Sequence, residues 1–184
     1  MDDGRNFLLR TPYRYDIITT DATHPTNTSS WALFTVEFYR SVAEHLTEKG
    51  VFIQWVPFHS LRETDYKMIL RTFSTVFPNA TLWYTGGSHT LLVATSEPIT
   101  DETLDRLVAA AAQDPITAQD LERPTALRAF LAMGPQTLRA YAGEGPLSTD
   151  DRAYFLPDNA EVEQIRSHIQ TLQTQTLEKG LDRD

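Results

Sequence analysis

What this chain can fold into is constrained most by the order of its apolar segments. Tyr15-Asp16-Ile17-Ile18-Thr19-Thr20-Asp21 is a β-branched run that ends in a carboxylate, and Val51-Phe52-Ile53-Gln54-Trp55-Val56 is a second apolar run, closed by Pro57. Short apolar runs of this kind suit buried strands. Between them, Thr35 to Lys49 carries Val36, Phe38, Tyr39, Val42, Ala43 and Leu46 at helical spacing and stops at Gly50. Arg62 to Phe77 repeats that pattern with Met68, Ile69, Phe73, Val76 and Phe77, and stops at Pro78-Asn79. Thr81 to Tyr84 and His89 to Thr95 read as two further strands around Gly86-Gly87. A strand-helix-strand-helix order followed by a strand pair predicts crossover units on a largely parallel, doubly wound α/β sheet, with the final pair antiparallel. A short helix over Gly4 to Arg10 precedes it.

Beyond Pro98 the texture changes. Asp101 to Gln113, Thr117 to Glu122, Ala126 to Met133 and Gln136 to Tyr141 read as short helices separated by Pro115, Pro124 and Pro135. Gly143 to Pro157 is a loop carrying Ser148-Thr149-Asp150-Asp151-Arg152, and Asn159 to Lys179 is a polar helix ending at Gly180. Its apolar stripe of Val162, Ile165, Ile169 and Leu172 is narrow, as in a helix that lies on a surface or pairs with another chain. Two parts are therefore expected: an α/β part over residues 1–98 and a helical extension over 99–184.

Charge and composition exclude several classes of function. The chain has 184 residues and a formal net charge of −9, so nothing in it would replace the counterions of a nucleic-acid backbone. There are no cysteines, which removes disulfides and thiolate chemistry together. The five histidines, at 24, 45, 59, 89 and 168, show no paired metal-ligand spacing, so no metal is expected. No apolar run approaches the roughly 20 residues of a membrane helix, and Met1-Asp2-Asp3 is acidic where a secretory signal needs a basic start. A cytoplasmic location is the expectation.

One absence narrows the reading further. Open parallel sheets hold nucleotide-like groups on a glycine-rich turn between the first strand and first helix. No such turn is present: Gly86-Gly87 lies between late strands and the other glycines are isolated. We therefore expect this chain to be the later part of a longer domain, or to be completed by a partner.

Taken in order, several segments resemble the spermidine synthase (polyamine aminopropyltransferase) family. They are Asp2-Asp3-Gly4-Arg5-Asn6-Phe7-Leu8, Tyr15 to Asp21, Phe34-Thr35-Val36-Glu37-Phe38-Tyr39, Lys49-Gly50-Val51-Phe52, Val76-Phe77-Pro78 and Leu91-Leu92-Val93. Asp21-Ala22-Thr23-His24-Pro25, Gln54-Trp55-Val56-Pro57 and Thr149-Asp150-Asp151-Arg152 look more like the spermidine-synthase-like branch often fused to membrane-spanning segments. The resemblance covers about residues 2–98, with a weaker echo to about 157. It implies a class I methyltransferase fold and transfer of an aminopropyl group from decarboxylated S-adenosylmethionine to a small-molecule amine. Such chemistry needs a neutral amine, in-line positioning and carboxylates that steer and deprotonate an ammonium.

By the same resemblance, Asp3 falls on a carboxylate that takes the adenine amino group, with Gly4 on the turn beside it. Asp3 is equally suited to cap the helix that follows. Asp21 falls on the catalytic acid, at the carboxyl end of a strand, and the plain alternative is a loop-capping Asp. Polyamine synthases usually carry a second Asp three residues later; here stands His24, a poor clamp for a diamine. His24 can serve as a base toward another acceptor or simply hydrogen-bond within its loop. His59 after the second strand and Tyr84 before the Gly-Gly turn are candidate acceptor contacts, with His89 suited to a strand-end role. The Asp150-Asp151-Arg152 cluster can be a local Asp–Arg loop pair.

Two other classes of function fit the same residues. One is a small-molecule methyltransferase using S-adenosylmethionine, with His24 as base. The other is a non-catalytic module kept for homodimerisation or as an appendage of a membrane protein. An unpaired parallel strand at the sheet edge predicts self-association or marginal stability of the isolated chain.

Overall fold

A computed structural model of the protein describes residues 4–21, 24–28, 30–114, 126–152 and 155–181. Asp3 and the helix expected over Thr117 to Glu122 lie outside these residues. The elements are α1 (Gly4–Arg10), β1 (Tyr15–Thr20), a 3-10 turn (Trp31–Phe34), α2 (Val36–His45), β2 (Leu46–Pro57), α3 (Glu63–Val76), β3 (Thr81–Gly86) and β4 (His89–Thr95). They continue with α4 (Asp101–Gln113), α5 (Ala126–Phe130), β5 (Leu131–Met133), α6 (Pro135–Ala142) and α7 (Val162–Lys179).

The fold is α/β: five strands form one sheet in the order β1-β2-β4-β3-β5, with helices packed on it. The sheet is less parallel than the segment order predicts. Only β1 and β2 pair in parallel; β4 enters antiparallel between β2 and β3, and β5 pairs antiparallel with the far side of β3. The tight connection at Gly86-Gly87 turns β4 back beside β3 and carries it into the slot next to β2. Both glycines have positive φ, 107° and 60°: Gly87 opens the two-residue turn, and Gly86 sits at the register shift that precedes it.

Two boundaries also differ from the sequence expectation. The helix expected to run through Lys49 ends at His45, and β2 begins at Leu46. Tyr15 on β1 pairs with Leu46, and Thr47 donates a 2.8 Å hydrogen bond to Asp16, so pairing with β1 overrides helical propensity there. The helix expected over Ala126 to Met133 gives up its last three residues to β5, which covers the outer edge of β3.

The main core lies between one face of the sheet and α2 and α3. Thr35 caps α2 by accepting from the Phe38 amide, which sets Phe38, Tyr39 and Val42 inward. Tyr39, Phe52, Phe73 and Phe77 then cluster, with ring centroids 5.1 Å apart for Tyr39–Phe73, 5.6 Å for Phe52–Phe73 and 4.9 Å for Phe73–Phe77. Two of the polar groups inside this core pair with each other. Tyr39 donates to Gln54 at 2.7 Å and Gln54 donates to the Leu33 carbonyl at 2.8 Å.

The polar helix α7 packs on its own chain. Ile165 and Ile169 are fully buried in the main core, with Val162 and Leu172 against it. It also supplies what α3 lacks. Arg62 makes no side-chain cap, and the Glu63 amide instead donates to the Glu161 carboxylate at 2.7 Å.

A candidate acceptor site at the carboxyl ends of the strands

Asp21 and His59 follow the carboxyl ends of β1 and β2, Tyr84 lies near the end of β3, and His89 opens the antiparallel β4. All four therefore share one end of the sheet, where open α/β folds bind ligands. Asp21 is exposed there, directly after the last residue of β1. At the edge of the sheet Gly4 and Arg5 on α1 line a largely apolar cavity of about 390 Å³ together with Phe7, Leu8, Ile17 and Thr20.

Three imidazoles meet at this end. His24 and His59 have ring centroids 4.7 Å apart, His59 and His89 5.8 Å, and His89 stacks on Trp55 at 5.5 Å. The bonds of His24 decide its tautomer. Its Nε2 lies 2.5 Å from the His59 carbonyl, which can only accept, so Nε2 carries the proton. Nδ1 then accepts from the Thr26 amide at 3.2 Å and faces the Thr26 hydroxyl at 2.8 Å. Both nitrogens of His24 are thus engaged, and the residue bridges the loops after β1 and β2. That is the loop hydrogen-bonding arrangement, with no lone pair left for a base.

His59 is held more firmly than its position in a loop suggests. The Phe58 amide donates to the Ser88 carbonyl at 2.9 Å, and the His59 ring Nδ1 lies 3.3 Å from the Ser88 hydroxyl. On the other side, Ser60 adopts φ 57°, unusual for a residue with a side chain. Its amide and hydroxyl both donate to Asn159 Oδ1, at 2.9 and 3.0 Å, and its carbonyl accepts from the Asp158 amide at 3.2 Å. Nothing in the sequence marks Ser60, Ser88 or Asn159, because none sits in a motif and the contacts span up to 99 residues.

Tyr84 is in the core rather than at a surface. It is buried beside Phe58, and its hydroxyl donates to the Gly87 carbonyl at 3.1 Å. Asp150 does not form the local pair expected with Arg152. It accepts from Arg5 on α1 at 2.5 Å and from Thr35 at 2.8 Å, while its amide donates to Glu37 at 3.0 Å. The loop after α6 therefore ties α1 to the start of α2 and fixes one wall of the apolar cavity. Among the described residues, no group of three His, Cys, Asp or Glu side chains is placed to hold a metal ion. No described helix is long and apolar enough to cross a membrane.

Burial lowers the pKa of both His24 and His59, reinforced for His59 by the adjacent imidazoles of His24 and His89. Burial alone would raise the Asp150 carboxyl, but the bonds from Arg5 and Thr35 outweigh it and hold it below its usual range. All three groups have folded pKa values below the unfolded ones. Each stabilises the fold above its unfolded pKa and loses that contribution as pH falls. Unfolded histidines titrate near 6.5 and carboxylates near 4. Thermal melts are therefore expected to show Tm falling first as pH drops below about 6.5, through the histidines, and again below about pH 4. A Tm that is flat or rises from pH 7.5 to 5.5 would contradict this.

Residues 1–86 match the family model described as the spermine/spermidine synthase domain. This part of the chain is similar to the spermine/spermidine synthase domain. A curated polyamine aminopropyltransferase from Saccharolobus solfataricus is 36% identical over 84 residues, 45% of this chain and 28% of that protein. Another, from Yersinia pestis, is 32% identical over 104 residues, 53% of this chain and 35% of that protein. Among solved structures, a probable spermidine synthase from Corynebacterium glutamicum superposes with a TM-score of 0.56 at 16% identity, over 81% of this chain and 52% of that one. The structural likeness shows the fold. The chain spans about a third or less of the length of these curated relatives.

Proposed function

We propose that residues 1–98 supply the acceptor half of an aminopropyltransferase site, with a sulfonium donor of the decarboxylated S-adenosylmethionine type and a small-molecule amine as acceptor. One observation carries this reading: the exposed Asp21 carboxylate, at the end of the parallel strand pair β1–β2, stands three residues before an imidazole cluster at the same end of the sheet. In this role Asp21 attracts and orients the ammonium of the acceptor. Gly4 borders the donor side, because it lines the adjoining cavity, which is apolar, as an adenine ring prefers. The glycine-rich half of a donor cradle is not in this sequence, so the chain alone is expected to hold acceptor and not donor.

Calorimetry and NMR on the purified chain test this directly. Methylthioadenosine is expected to give no binding at micromolar concentrations, whereas n-butylamine and putrescine perturb the resonances of His24 and His59. Asp21→Asn removes the charge and weakens amine binding by about tenfold. Micromolar binding of methylthioadenosine, or amine binding unchanged in Asp21→Asn, would overturn the proposal.

The same division accounts for a surface left open on the described residues. β1 is an edge strand, and Ile17 on it and Phe7 and Leu9 on the adjacent α1 are exposed at 66%, 50% and 59%. A bare strand edge beside apolar side chains promotes association. Sedimentation is expected to show mass rising with concentration, and Ile17→Lys to restore the monomer. A concentration-independent monomer in the unmodified chain would contradict this.

A further inference from the structure

We infer that His59, positioned by Ser88 and Asn159, is the group at this end of the sheet that accepts a proton from the acceptor amine. The inference rests on the reading above for the identity of the acceptor, and on geometry alone for the identity of the base. Of the two histidines on these loops, His24 has both nitrogens engaged, one of them donating to the His59 carbonyl. His59 has one. Its Nδ1 is paired with the Ser88 hydroxyl, and its Nε2 has no hydrogen-bond partner among the described residues. When Nδ1–H donates to Ser88, the Nε2 lone pair is left open on a partly exposed ring at this end of the sheet.

The backbone around His59 has the character of a constrained site. Ser60 is held at a positive φ that its side chain disfavours, and three separate elements keep it and its neighbour there. They are the Asn159 side chain before α7, the Ser88 turn between β3 and β4, and His24 after β1. Strain maintained by contacts from three directions fixes where the imidazole can point. The packing of the main core needs none of this, because His59 is not part of it.

The surroundings also keep His59 neutral, as a base must be. The groups around it are the imidazoles of His24 and His89, the Ser88 hydroxyl and the Asp158-Asn159 turn. Arg166 on α7 stands behind the turn, donating to the Gly87 carbonyl at 2.9 Å. Burial and the neighbouring rings disfavour a second positive charge on this imidazole. The proton step balances simply. An N–H bond of the bound ammonium breaks, the new N–H bond forms on His59 Nε2, and the freed electron pair stays on the amine nitrogen. An imidazole is a stronger base than a carboxylate, so Asp21 can orient the ammonium while His59 takes its proton.

Long-range proton–nitrogen NMR of the histidine rings in the full chain at pH 7.5 is the test. His59 is expected as the Nδ1–H tautomer with a bare Nε2, and His24 as the opposite, Nε2–H tautomer. Ser88→Ala should mix the His59 tautomers and leave His24 unchanged. Carbethoxylation with diethyl pyrocarbonate should modify His59 at least about tenfold faster than His24, since it attacks an unprotonated, unpaired nitrogen. A His59 found as Nε2–H or as imidazolium, or one that reacts no faster than His24, would overturn the assignment. Addition of n-butylamine, then putrescine, should move the His59 Nε2 resonance. If the tautomers are as stated and neither amine moves it, the choice of an amine as proton donor is what fails.

Discussion

Phe73→Ala is expected to cost about 3–5 kcal/mol of stability and lower Tm by roughly 10 °C, a large share of the 5–15 kcal/mol typical of a domain. Phe73 is fully buried on α3 and touches Tyr39, Phe52 and Phe77, which come from α2, β2 and the end of α3. Removing its ring empties the point where these elements meet. The void cannot collapse easily, because Tyr39 is also held by its bond to Gln54 and Phe52 by the sheet register. Phe73→Leu keeps most of the volume and should cost less than about 1.5 kcal/mol. Phe7→Ala is the control: half exposed on α1, it should leave Tm nearly unchanged while reducing self-association. Urea titration of the three variants checks the order. Equal destabilisation by Phe73→Ala and Phe7→Ala would show that the core is not centred on this cluster.

The strands and helices of the first 98 residues were legible because their apolar periodicities are strong and their stops are Gly or Pro. Gly4–Arg10, Asp101–Gln113 and the hairpin at Gly86-Gly87 fall where the sequence puts them. Strand order was not legible. Nothing in Leu91-Leu92-Val93 says that β4 enters between β2 and β3, since a tight turn fixes only the pairing of its two arms. Leu46 and Leu131 look helical locally and become strand because a neighbouring edge needs pairing. The same distinction holds in the site. Asp21, His24 and His59 could be singled out because each follows an apolar run, where such folds place chemistry. Tyr84 shares that position but points into the core. Ser88, Asn159 and the partnership of Arg5 with Asp150 are contacts between residues 29 to 145 apart, which no local pattern encodes.

The second large effect concerns Asp21. Its carboxylate lies in the open, beyond the last pairing of β1, and nothing in the main core depends on it. Asp21→Asn should therefore leave Tm unchanged within about 1 kcal/mol of stability. In a completed site it removes the charge that orients the ammonium and should lower turnover by about 100-fold or more. That combination, a silent effect on folding and a large one on chemistry, separates a reacting group from a loop cap. A loop cap would lose stability and leave the reaction alone.

The most direct measurement supplies a donor-binding half. On the proposed reading, residues 1–184 joined behind the glycine-rich, donor-binding part of a polyamine aminopropyltransferase such as the Saccharolobus solfataricus relative would carry both donor and acceptor halves. This fusion is expected to bind methylthioadenosine and to release it from decarboxylated S-adenosylmethionine when an amine is present, with Asp21→Asn lowering release by about 100-fold or more. A fusion that binds methylthioadenosine but transfers nothing, or that transfers only methyl from S-adenosylmethionine, would contradict it.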